Sequence, residues 1–254
     1  MSDPITPCAE ALAAADPDRF AAVMALPGAA RAPLFAVYAA NLEMARAPWA
    51  AREPMVAEIR LQWWIDALGA LATTGAEPRH EIGPALLKIV PEALELLVEV
   101  GEARRADCWS DPFEDAGRLH DYLDATSGAL TLAAARALGL SGHEAALRAA
   151  GAAAGLANWL VALPELTARG RLCLVGATPA ALGTLAIEAL ARLEAAEEAL
   201  QKAPEAARFA MLAHWQARKA LVRAAKDPAR IASGGLRVSE FSRRLSLLRA
   251  RAAL

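Results

Sequence analysis

Apolar residues along this chain recur three and four positions apart, the spacing of one helix face. No segment alternates apolar and polar residues over a useful length, so no strand is predicted. Asp16-Pro17-Asp18 caps a helix over 19–25, which Pro27-Gly28 breaks. A helix over 29–46 places Leu34, Val37, Tyr38, Leu42 and Ala45 on one face and is expected to end at Pro48. Glu53-Pro54 opens the next, through Ile59, Trp63, Trp64 and Leu68 to about residue 72, with a loop over 73–80. Further helices are predicted over 84–100, kinked before Pro91, and over 114–140, bent around Thr126-Ser127-Gly128. The remainder read as 143–163 (stopping at Pro164), 179–202, 205–226 and 239–252. The expectation is an all-α fold, a single multi-helix domain over 1–254 around a central cavity, with 1–16 allowed as a flexible lead-in. The run Gly151-Ala-Ala-Ala-Gly155 reads as a close packing face or as a small-residue wall beside a ligand tunnel.

Composition agrees. The 254 residues are 56% hydrophobic and 5% aromatic. Much of the apolar content is alanine, the strongest helix former. That excludes a disordered chain, and a net charge of −2 excludes a global basic field for nucleic acid. Residues 1–10 do not read as a secretory signal. The longest charge-free stretches, 149–164 and 172–187, are too short and too rich in Gly, Ala and Pro for a spanning helix. A cytoplasmic location is expected, with membrane association left open. Cys8, Cys108 and Cys173 are widely spaced and suggest neither disulfides nor a zinc site. No phosphate-binding loop, dinucleotide fingerprint or nucleophile elbow occurs.

Several segments in order carry a resemblance. They are Phe20, Leu26-Pro27 and Arg31, the run Leu34 through Ala40, and Arg60 through Leu68. Tyr122 through Gly128 with Leu138-Gly139 follows, then Gly155-Leu-Ala-Asn158 with Gly170-Arg171-Leu172-Cys173-Leu174. Together they resemble the squalene/phytoene synthase family over roughly residues 18–175. That resemblance implies an isoprenoid-synthase fold and the condensation of two prenyl diphosphates head to head. In such enzymes Mg²⁺ bridges the diphosphates to an Asp-x-x-x-Asp pair on each of two helices, and arginines hold the rest. An apolar tunnel shields the carbocation from water.

This chain departs at both signatures. The first alignment puts Leu42 at the family's arginine and Ala45, Arg46 and Trp49 at its acidic cluster. The second puts Val161 at the arginine, with Ala162 and Leu166 at the aspartates; Glu165 is the one acid left. The expectation is a pseudoenzyme with no catalytic or metal-binding residues and no cofactor. Its candidate pocket is Tyr38, Asn41, Leu42, Ala45, Asn158, Val161 and Ala162. Asn41, Glu43 and Ala45, with Arg60, Gln62 and Trp64, resemble a degenerate branch, the phytoene-synthase-like assembly factor of respiratory complex I. This implies an isoprenoid or other lipid ligand, a respiratory-complex subunit as partner, peripheral membrane contact, and no nucleic acid. The alternative is a divergent but active isoprenoid synthase needing Mg²⁺, its acids drawn from Glu58, Asp107, Asp111, Asp121 or Asp124.

Other residues have local readings. Of Trp63 and Trp64, one is expected in the core and the other at an edge. Asn41 and Glu43 are read as solvated or capping, with a pocket contact as the other option, and Glu165 as a surface-loop residue. Asn158 is read as a buried amide, in a helix–helix hydrogen bond or a pocket contact. His120 with Asp121 and Asp124 reads as a solvated helix face. The tail interleaves Arg237, Arg243, Arg244, Arg249 and Arg251 with Val238, Phe241, Leu245, Leu247 and Leu248. It is expected to pack its apolar stripe on the body; lying on an anionic membrane is the other option.

Overall fold

The computed structural model describes residues 3–51, 53–109, 111–171 and 173–254. The helices run α1 (Thr6–Ala15), α2 (Pro17–Met24), α3 (Gly28–Ala50), α4 (Pro54–Thr74), α5 (Gly83–Leu86), α6 (Pro91–Ala103), α7 (Arg105–Cys108) and α8 (Ala116–Leu123). After them come α9 (Ala129–Ala137), α10 (Glu144–Ala168), α11 (Pro179–Leu200), α12 (Glu205–Met211), α13 (Ala217–Lys226), α14 (Ala229–Ala232) and α15 (Glu240–Ala252). A π-turn at Asp124–Gly128 joins α8 to α9, and a 3₁₀ turn at Leu212–His214 follows α12. The all-α expectation holds. Phe113 and Leu174 form an isolated parallel bridge that tethers two loops.

Local chemistry sets the ends. Asp16 accepts from the Arg19 amide at the start of α2, with Pro17 in the first turn. Asp115 and Thr178 cap α8 and α11 in the same way. Gly75 closes α4 in the left-handed conformation (φ 73°), which costs glycine little. The segment 1–16, allowed above as flexible, contains α1, whose Cys8 and Leu12 are fully buried against α3.

Two apolar clusters form the interior. One gathers Leu12, Leu34, Met44, Leu61, Leu68, Leu97 and Leu132 around α1, α3, α4, α6 and α9. The other gathers Leu119, Leu160, Leu182, Leu193 and Leu221 around α10, α11 and α13. α10 is long and apolar enough to cross a membrane by length and composition, yet most of that apolar stretch is packed inside the molecule.

The bend expected at Thr126-Ser127-Gly128 is the π-turn, and it explains the glycine run. A Cβ on Gly151 would stand 2.5 Å from the Ser127 carbonyl oxygen, and one on Gly155 2.5 Å from Ser127 Oγ. The run is a packing face against the turn. Trp64 is buried and Trp63 exposed, as expected of adjacent tryptophans on a helix.

Four expectations need correction. Pro48 and Pro164 do not end their helices, which run on to Ala50 and Ala168. Each proline lies close to its helix end, so little helix depends on the bond it cannot donate. The Pro48 carbonyl accepts from Arg171 Nη1 at 3.2 Å, and Glu165 is a helical residue paired with Arg169 at 2.6 Å. The segment 84–100 is two helices, because Pro91 starts α6 as its first residue. The segment 205–226 is broken by the turn at Leu212–His214. Lastly, α15 does not bury its whole apolar stripe: Leu247 packs inward, while Phe241, Leu245 and Leu248 face solvent.

Candidate functional site

A groove runs between α2, α10 and α13. It consists of two adjoining hollows, about 190 Å³ and about 340 Å³, that share Asp18, Asn158, Gln216 and Ala217. Ala154, Val161, Ala220, Leu236 and Val238 supply apolar wall; Arg19, His214, Arg237 and Arg243 supply polar groups.

The N-terminal turn of α2 orders one end. Asp16 pairs with Arg19 Nη1 at 2.6 Å. The Arg19 guanidinium then lies over the Tyr38 ring, 4.9 Å from its centroid. Burial pushes the Tyr38 hydroxyl up to about 12, so it stays protonated. Asp18 Oδ2 accepts from Gln216 Nε2 at 2.6 Å, and Oδ1 lies 2.7 Å from Arg243 Nη2. One carboxylate thus ties α2 to α13 and α15. His214 Nε2 is 2.7 Å from Thr131 Oγ1, and burial, with Arg19 adding to it, pushes the imidazole down to about 3. It is neutral at ordinary pH.

A second polar centre lies beside α3, in the interior. Arg104 donates to Asp107 Oδ2 at 2.9 Å and to Asn41 Oδ1 at 3.2 Å. Tyr122 donates to Asp107 Oδ1 at 2.6 Å. Burial raises the Asp107 pKa, partly offset by Arg104, the Tyr122 hydrogen bond and Arg171. Arg171 also donates to the Asp107 carbonyl at 3.2 Å, and its guanidinium lies 4.9 Å from the Trp49 ring. Arg169 stands 5.1 Å from the same ring.

The predicted pocket residues part company here. Asn158 and Val161 line the groove. Asn158 is exposed, which corrects its reading as a buried amide: it sits on the outer face of α10. Tyr38 is buried beneath Arg19, and Asn41 is buried in the polar centre rather than solvated. Leu42, Ala45 and Ala162 are half-buried and line neither hollow. Glu43 pairs with Arg46 at 2.8 Å, and Gln62 bonds Asp66 and Arg105. Sequence reasoning missed Arg104, Tyr122, Arg171, Asp18 and His214 as site residues. Arg104 meets Asn41 across 63 positions and Asp18 meets Gln216 across 198, and local spacing couples neither pair.

The alternative acids do not converge. Glu58 pairs with Arg105, Asp107 with Arg104 and Asp124 with Arg148; Asp111 is exposed. Asp121 and Asp124 share an open hollow of about 560 Å³ with His120, Arg148 and Arg192. That trio is therefore a hollow wall as well as a helix face; burial, then Arg192, lowers the His120 pKa. Among the described residues no three His, Cys, Asp or Glu side chains are placed to hold a metal ion.

The helical fold is that of the isoprenoid synthases. Residues 12–251 match the squalene/phytoene synthase family, and the chain belongs to it. A dehydrosqualene synthase solved in complex with a ligand is similar in structure. The TM-score is 0.77 at 15% sequence identity, covering 98% of this chain and 96% of that one. Squalene synthase HpnC from Alicyclobacillus acidocaldarius is similar with a TM-score of 0.69 at 16% identity, covering 91% and 94%. No curated protein sequence is similar enough to match. At these identities the two structures speak for the fold alone.

The two helix faces do not fit the magnesium that the family resemblance implies. The positions that the resemblance sets against the family's acids carry Ala45, Arg46 and Trp49 on α3 and Ala162 and Leu166 on α10, with Glu165 the one acid left and paired with Arg169. A hard cation needs several oxygen ligands. Trp49 offers an indole in contact with two guanidinium groups, of which Arg169 is also paired with Glu165.

Proposed function

We propose that this protein is a squalene/phytoene synthase family member without prenyltransferase activity, acting as a binding or assembly factor. The reading is supported by Trp49, which stacks with Arg169 and Arg171 at a position that the resemblance sets against the family's acidic cluster. Chemistry that expels diphosphate needs dense positive charge held by paired acids at that point. The buried acid close by, Asp107, is engaged by Arg104 and Tyr122.

The groove suits an amphiphile. Its wall alternates alanine, valine and leucine with Asp18, Asn158, Gln216 and Arg243, which fits an apolar chain with a small polar head. An isoprenoid or quinone-like lipid is the ligand class we assign to it. A role in assembling a respiratory complex is supported by Asn41, Glu43 and Ala45 with Arg60, Gln62 and Trp64. Those residues here serve structure: Asn41 accepts from Arg104, and Trp64 packs edge-on against His80 at 4.9 Å.

The test is to incubate purified protein with farnesyl and geranylgeranyl diphosphate plus Mg²⁺. No condensed hydrocarbon is expected, and its appearance would overturn the reading. Mass spectrometry of extracts from the purified protein should show a prenyl lipid, which Val161→Trp should exclude. In the native host, gene deletion should lower assembled respiratory complex on native gels; unchanged assembly removes that partner.

A further inference from the structure

The C-terminal helix α15 leaves part of its apolar surface uncovered. Its inward side carries Leu247 and Ala250, which with Leu254 just beyond the helix pack against the first core cluster. Phe241, Leu245 and Leu248 follow at i, i+4 and i+7 and share the opposite side. They are 78%, 36% and 62% exposed. An ordinary surface helix turns its apolar stripe to the core; this one turns a second stripe to solvent.

The charges beside that stripe are of one sign. Successive helical residues are rotated by roughly 100°. That sets Arg244 and Arg251 along one edge of the Phe241–Leu248 stripe and Arg249 along the other. Residues 237–254 hold five arginines against one glutamate, in a chain whose net charge is −2. Glu240 is taken up by Arg243 and Arg244. Among the described residues Arg249 and Arg251 have no acidic partner.

We propose that α15 is a docking helix for an anionic bilayer surface. An exposed apolar ridge edged by Arg244 and Arg251 on one side and Arg249 on the other has the chemistry of an interfacial helix, with apolar side chains in the acyl boundary and guanidinium groups at lipid phosphates. A second copy of this chain fits worse. Two such faces would bring arginines against arginines, and three side chains bury far less than a stable dimer needs. Arg243, on the inward side of α15, lines the groove together with Arg237 and Val238. The docking rests on α15 alone and stands whether or not the groove holds a lipid.

The test is flotation of the full chain with vesicles of phosphatidylcholine alone, or of phosphatidylcholine and phosphatidylglycerol in equal parts. Binding is expected to the anionic vesicles and to weaken with salt. Phe241→Ser with Leu248→Ser, and separately Arg249→Gln with Arg251→Gln, should each lower the partition coefficient by roughly tenfold or more. These side chains are exposed, so thermal unfolding should be unchanged. Met55→Ser with Ile59→Ser, which removes as much exposed apolar surface from α4, should bind like the parent. The proposal fails if both vesicle types bind equally, if neither binds, or if the α15 variants float like the parent. It fails equally if sedimentation shows a dimer that the Phe241 and Leu248 changes dissolve while vesicles are ignored.

Discussion

The Arg104 guanidinium and the Asp107 carboxylate meet at 2.9 Å, three residues apart, the acid buried and the arginine partly buried. A buried ion pair holds only if its remaining polar atoms are met. Here Tyr122 supplies a hydroxyl at 2.6 Å and Asn41 an amide oxygen at 3.2 Å. The four residues draw α3, the α6–α7 junction and α8 onto one point, leaving Arg104 Nε without a hydrogen-bond partner among the described residues.

Asp107→Ala should therefore be among the more damaging single changes. It strands a guanidinium inside the fold, which typically costs about 3–5 kcal/mol. Arg104→Met with Asp107→Leu removes both charges and should recover most of that loss. Urea unfolding of the three proteins checks this. A loss under about 1 kcal/mol for Asp107→Ala would show that the pair is not holding the centre.

Much of the fold was legible because helix periodicity and proline or glycine breaks are local signals. Pro17, Pro54 and Pro179 each open a helix where their ring fits. The failures were of two kinds. Pro48 and Pro164 read as stops, because sequence does not tell that contacts such as Arg171 on Pro48 hold the last turn. The site was read from positions that the resemblance sets against the family's signatures. That finds Asn158 and Val161, but not the polar residues grouped around them. Arg104 and Asn41 lie 63 positions apart, and Asp18 and Gln216 198 apart. Nothing in local spacing couples such pairs.

Gly151→Ala separates propensity from packing. In an exposed helix the change would gain about 1 kcal/mol. Here the added methyl would meet the Ser127 carbonyl at 2.5 Å and Thr131 Oγ1 closer still. Backbone cannot yield cheaply, so the sign should reverse, to a loss of about 1–3 kcal/mol by urea midpoint. A stabilised variant would mean that α10 and the π-turn are not in contact.

Asp18→Asn tests the tie between α2 and α15. The amide oxygen still accepts from Gln216, but Arg243 loses its charge partner on α2 and keeps only Glu240 of its own helix. Both side chains are partly exposed, so global stability should change by less than about 1 kcal/mol. Local order should change more. Limited trypsin digestion should cut faster at Arg243, Arg244 and Arg249. Digestion at the parent rate would show that α15 is held by Leu247, Ala250 and Leu254 alone.

His214 makes acid sensitivity predictable in sign. Its folded pKa is pushed down to about 3 from the ordinary 6.5, first by burial and then by Arg19. Above the unfolded value both states are neutral and the residue adds no pH dependence. As pH falls below 6.5 the unfolded chain takes a proton that the folded chain refuses, so stability drops, and keeps dropping until the folded pKa is reached. The slope is about 1.4 kcal/mol per pH unit from this one group. His120, also lowered, adds in the same direction, so the parent must be compared with His214→Gln, which keeps an amide for Thr131 and no titrating ring. Between about pH 6 and pH 5 the parent should lose roughly 1 kcal/mol more than the variant, by urea unfolding at each pH. Parallel curves would mean that water reaches the ring and that the hollow beside Asn158 is open to it.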